Sequence, residues 1–98
     1  MVTEILSFEE MREKEIATDE YRLNLEEGCF NAVLEFLAEG KKGTLRAFFR
    51  FDDGRKVFAQ LQYFNNYLGI LKIPHNTPIC IYYEKSARGI FPMNIELI

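Results

Sequence analysis

The stretch that decides the fold is Thr44-Leu45-Arg46-Ala47-Phe48-Phe49-Arg50-Phe51-Asp52-Asp53-Gly54-Arg55-Lys56-Val57-Phe58-Ala59-Gln60-Leu61. Two runs rich in apolar and aromatic residues flank Asp52-Asp53-Gly54, a cluster suited to a tight turn. A three-residue loop with Gly54 in the left-handed position of a bulge pairs Phe51 with Arg55, Phe49 with Val57, Ala47 with Ala59 and Leu45 with Leu61. Side chains two apart share a face, so one face of this hairpin is then almost wholly apolar. A two-residue Asp53-Gly54 turn instead sets Phe51 against Lys56 and Ala47 against Gln60, which mixes the faces. The three-residue loop is the consistent solution.

Working outward, a four-residue loop from Gly40 to Gly43 pairs Ala38 with Leu45, Phe36 with Ala47, Leu34 with Phe49 and Ala32 with Phe51. Three strands thereby agree on one core face. Residues 25–39 also carry a helical reading. In it Asn24 caps, Glu27 completes a capping box, Gly40 stops the helix, and Leu25, Cys29, Val33, Phe36 and Leu37 make its apolar stripe. Gly28 costs such a helix about 1 kcal/mol, and the strand is preferred. Residues 7–16 read as a helix, with Ser7 and Glu10 as a capping box and Leu6 as the apolar residue before the cap. Residues 78–85 and 90–97 read as a hairpin across Ser86 to Gly89. Pro92 cannot donate a ladder hydrogen bond, so its strand is an edge or is bulged there.

Further turn clusters at Glu27-Gly28, Asn65-Asn66 and Pro74-His75-Asn76-Thr77 keep the segments short and evenly spaced. The expected fold is mainly β: a small antiparallel meander sheet or barrel of five to seven strands with a short N-terminal helix. An α+β fold with residues 25–39 helical is the alternative. With 98 residues, 48% of them hydrophobic, residues 1–98 make a single domain and not a disordered chain. No apolar run nears the roughly 18–20 residues that span a bilayer. The first residues carry no basic region and are soon interrupted by Glu9 and Glu10, unlike a signal peptide. No membrane association is expected. Cys29 and Cys80 are too few for a disulfide framework and sit in apolar segments, where cysteine acts as a small buried hydrophobe. A reduced, cytoplasmic protein follows.

Chemistry is sparse. His75 is the single histidine and lies in a turn without a second ligand nearby, so no metal site is expected. No phosphate-binding glycine loop, nucleophile elbow or paired-histidine zinc motif occurs. Asp52 and Asp53 are explained by the turn. Arg46-Ala47-Phe48-Phe49-Arg50 shares the Arg-x-x-x-Arg spacing of the cyclic-dinucleotide-binding barrel domains. Their second motif, Asp/Asn-x-Ser-x-x-Gly, is missing, and the spacing assigns no family. Neither an enzyme nor a cofactor is expected.

One surface stands out. If Leu45, Ala47, Phe49 and Phe51 point inward, Arg46, Phe48 and Arg50 point outward, opposite Gln60, Phe58 and Lys56. Gln62 and Phe64 extend the row. Aromatics interleaved with cations suit a protein interface, including one between two copies. They also suit base stacking and phosphate neutralisation, so a single-stranded nucleic-acid-binding barrel is the alternative. Two features oppose phosphate binding. Glu35 and Glu39 share this side, and the acidic N-terminal helix can cover it. Residues 1–40 carry a net charge of −8 and residues 41–98 one of +5. That asymmetry fits either a polyanion-binding half or two halves that neutralise each other on folding. The expectation is a non-catalytic binding or protein-interaction module, self-associating or binding a protein partner through Arg46, Phe48, Arg50, Lys56, Phe58 and Gln60.

Overall fold

Phe49 lies opposite Val57, and Ala47 opposite Ala59, as a three-residue loop requires. In the computed structural model, which describes residues 5–13, 18–40, 44–64, 70, 72–73 and 77–98, the central hairpin is formed by β3 (Leu45–Phe51) and β4 (Lys56–Gln60). Phe51 N–H donates to the Arg55 carbonyl at 2.8 Å, and Gly54 N–H to the Phe51 carbonyl at 2.9 Å. Gly54 has φ +93°, a conformation that only glycine adopts without strain. The register expected from side-chain alternation is the one present.

Gly28–Glu39 forms β2, a 12-residue strand, so the helical alternative for residues 25–39 does not occur. The remaining strands are β1 (Ile5–Leu6), β5 (Pro78–Ser86) and β6 (Gly89–Leu97). The six-stranded sheet has the order β4-β3-β2-β5-β6, with β1 parallel to β2 beyond the start of β5. After the β2-β3-β4 meander the chain returns to place β5 beside β2, which is a Greek-key arrangement. The sheet does not close into a barrel.

The β2–β3 register departs from expectation at one point. Ala32 faces Phe51 and Leu34 faces Phe49 as expected, but a bulge follows, and Phe36 then faces Phe48 and Leu37 faces Ala47. Ala38 therefore lies opposite Arg46, and Glu39, not Ala38, lies opposite Leu45. One extra residue sends Leu37 into the core and turns Phe36 and Ala38 to the other face.

The two faces carry separate apolar clusters. The inner face gathers Ala32, Leu34, Leu37, Ala47, Phe49, Phe51, Val57, Ala59, Ile79, Ile81, Tyr83 and Ile95. Leu61, Phe64, Ile70 and Ile73, from the described part of the β4–β5 connection, pack into the same cluster. The outer face, over β2 and β3, holds a second cluster of Leu6, Tyr21, Ala38 and Phe48, edged by Met11, Phe36 and Phe58. Its cover comes from the N-terminal segment. The helix α1 (Phe8–Glu13) starts with the expected capping box. Glu10 N–H donates to Ser7 Oγ at 3.1 Å, and Ser7 N–H donates to Glu10 Oε1 at 3.3 Å.

Beyond α1 a 3-10 turn (Thr18–Glu20) leads to Arg22, which lines the edge of β4. Arg22 N–H donates to the Lys56 carbonyl, and Phe58 N–H donates to the Arg22 carbonyl. The far edge is β6, where a bulge beside Pro92 interrupts the ladder to β5. The expected hairpin is thus present, and Pro92 is on an edge strand next to a bulge. The turns expected at Asn65-Asn66 and around His75, and the helical reading of residues 14–16, lie outside the described residues.

The cysteines differ from expectation. Cys29 is exposed and Cys80 half-buried, and both lie outside the two apolar clusters. A disulfide joins them across 51 residues of chain. Bonding required the return of β5 beside β2, a long-range pairing that the spacing of two cysteines does not disclose.

Candidate interaction face

Alternation along β3 and β4 brings all six candidate residues to one side, as Arg46↔Gln60, Phe48↔Phe58 and Arg50↔Lys56. Their environments differ sharply. Phe48 is 5% exposed. The Phe36 ring stacks on it with centroids 4.6 Å apart, Tyr21 meets it edge-on at 5.0 Å, and Phe58 lies at 6.0 Å. Phe48 is therefore the base of the outer cluster and not a free stacking surface. Phe58 is half-buried, and the Arg46 guanidinium sits over its ring, 5.8 Å from the centroid. This cation–aromatic pair reaches solvent, as do the exposed Arg50 and the half-buried Lys56 and Gln60.

The row ends sooner than the sequence suggests. A 3-10 turn over Leu61–Tyr63 ends the strand, Gln62 bonds Gln60 at 2.9 Å, and Phe64 crosses to the inner face, where it meets Phe49. Glu39 also leaves this side, because the bulge in β2 sets it opposite Leu45.

Acidic partners answer two of the three cations. Arg50 Nη1 lies 3.0 Å from Glu35 Oε1, with the arginine side chain 51% exposed. Glu35 also accepts a hydrogen bond from the Tyr21 hydroxyl. Burial pushes the Tyr21 phenol above its ordinary pKa, and the adjacent Glu35 carboxylate adds to the rise. Lys56 Nζ lies 2.9 Å from Glu20 Oε2. Hydrogen bonding and charge attraction between them lower the Glu20 pKa and raise that of Lys56. Lys56 also lies 5.6 Å from the centroid of the Tyr21 ring. Among the described residues, Arg46 has no acidic partner.

Sequence reasoning identified Glu35 as a counter-charge but missed Tyr21 and Glu20. Both lie in an acidic stretch with no apolar periodicity, and only the course of the chain over β3 and β4 brings them here. Among the described residues, no cluster of three or more His, Cys, Asp or Glu side chains is placed to hold a metal ion. None of the described helices is long and apolar enough to cross a membrane. Compared with protein-family models and with curated proteins, the chain matches none.

Proposed function

We propose that this chain is a non-catalytic protein-interaction module that associates with a second copy of itself. The contact surface is the exposed part of the outer hairpin face, formed by Arg46, Arg50, Lys56, Phe58 and Gln60 over the buried Phe48. The observation that carries this reading is the charge arrangement. Arg50 is paired with Glu35 and Lys56 with Glu20, so both signs alternate around an aromatic centre. A two-fold interface needs such self-complementarity, because each patch meets its own copy. A polyanion would meet those carboxylates as repulsion, and Phe48 is not free to stack on a base. The cytoplasm is the proposed location.

Single-stranded nucleic acid is the second reading, favoured by Arg46, which lies over the Phe58 ring and has no acidic partner among the described residues. Sedimentation velocity over a wide concentration range separates the two. Self-association predicts a concentration-dependent shift from monomer to dimer, abolished in Arg46→Glu/Phe58→Ser with the circular dichroism spectrum retained. A monomer at every concentration overturns self-association. If that monomer also binds labelled single-stranded DNA with an affinity that falls steeply with salt, the second reading replaces it.

A further inference from the structure

The half of the sheet away from the hairpin has its own chemistry on its outer face. Cys29 lies opposite Tyr82, and Asn31 opposite Cys80, so the cysteines are diagonal neighbours on adjacent strands. Their Cα atoms are 6.4 Å apart, within the range that a disulfide bridges without moving the backbone. Cys29, Asn31 and Glu96 are exposed, and Cys80 is half-buried. The β2–β5 ladder runs through six consecutive pairs, from Gly28↔Tyr83 to Val33↔Pro78. The strands are thus held together by main-chain bonds and by Ile79 and Ile81 in the core, independently of the bridge.

We infer that Cys29 and Cys80 form a reversible dithiol–disulfide site that exchanges with low-molecular-weight thiols while the fold stays intact. In reduction, a glutathione thiolate attacks Sγ of Cys29, the more exposed of the two residues. The bond between the two cysteines breaks, a mixed disulfide forms at Cys29, and Cys80 leaves as a thiolate that takes up a proton. A second glutathione thiolate attacks the glutathione sulfur of that mixed disulfide. Cys29 is released as a thiolate and protonated, and glutathione disulfide departs. Two electrons pass from two glutathiones to the protein, and oxidation by glutathione disulfide is the reverse sequence.

The test uses the full chain in glutathione buffers of graded redox poise, with thiol alkylation and mass spectrometry to count free cysteines and circular dichroism to follow the fold. The expected result is full interconversion of dithiol and disulfide without denaturant and without change in the far-ultraviolet spectrum. In glutathione disulfide, Cys80→Ser accumulates a one-glutathione adduct at Cys29 faster than Cys29→Ser does at Cys80. A bridge that yields to glutathione only after denaturant is added overturns the inference. Loss of the β spectrum on reduction does so as well, and so does Cys29 reacting no faster than Cys80.

Discussion

Tyr21 shows how much one side chain outside the sheet contributes. Its ring packs edge-on against Phe48 and Phe36, its hydroxyl donates to Glu35, and Lys56 lies beside its face. A phenolate there would be poorly hydrated and close to a carboxylate, so the folded protein holds the proton more tightly than the unfolded chain. Tyr83 behaves alike, with burial again the main cause but, among the described residues, no carboxylate beside it. It is buried against Phe30 and Phe51, and among the described residues its hydroxyl has no hydrogen-bond partner. Burial raises its pKa, partly opposed by the charge of Arg55. Both folded-state values lie above the ordinary tyrosine value of 10.0. Stability is therefore level below about pH 10 as far as these groups are concerned, and falls as pH rises further, because the unfolded chain loses protons that the folded one keeps. Urea unfolding between about pH 9 and pH 11, either side of the ordinary tyrosine pKa, should show this fall. Tyr21→Phe should reduce its slope, and an unchanged slope would remove Tyr21 from the explanation.

At the scale of elements, the sequence was most legible where a turn and a two-residue period act together. Gly54 fixes the loop, and the alternation from Leu45 to Gln60 then has one solution. The capping box of α1 was legible for the same local reason. Ser7→Ala, which removes the acceptor for Glu10 N–H, should destabilise the protein by about 1 kcal/mol. The measure is the urea midpoint at constant m-value, and no shift would mean that the helix is held by Leu6 and Met11 alone. The bulge in β2 was not legible. Phe36, Leu37 and Ala38 are all apolar, so either side of a one-residue slip offers an acceptable core residue. The choice is settled by the outer cluster, which gives Phe36 and Ala38 a second apolar environment. The choice between open sheet and barrel was not legible either, since strand count and turn spacing do not record which strands end at the edges; here they are β4 and β6.

Across the whole molecule, the charge asymmetry of the sequence is partly resolved by folding one half on the other. Glu20 meets Lys56, Glu26 meets Arg55, and Glu35 meets Arg50. Each pair is at least partly exposed and adds little stability alone, but together they set carboxylates beside Arg50, Arg55 and Lys56, which supports the proposed protein partner over a polyanion. That the six candidate residues share one side was legible in the sequence; their accessibility was not, because it depends on the N-terminal segment around Tyr21 and on Glu20. The disulfide is the other long-range feature. By loop closure, a bridge spanning 51 residues restricts the unfolded chain by about 4 kcal/mol. Reduction should therefore lower the urea midpoint while leaving the native spectrum in place, and equal midpoints for the two forms would contradict that estimate.

If two copies meet at the outer hairpin face, as proposed, amide NMR spectra recorded across a dilution series report both the association and its position. Concentration-dependent shifts are expected at Arg46–Arg50 and Lys56–Gln60, with β6 unaffected. Spectra that do not change with concentration, or shifts confined to β5 and β6, would contradict that proposal.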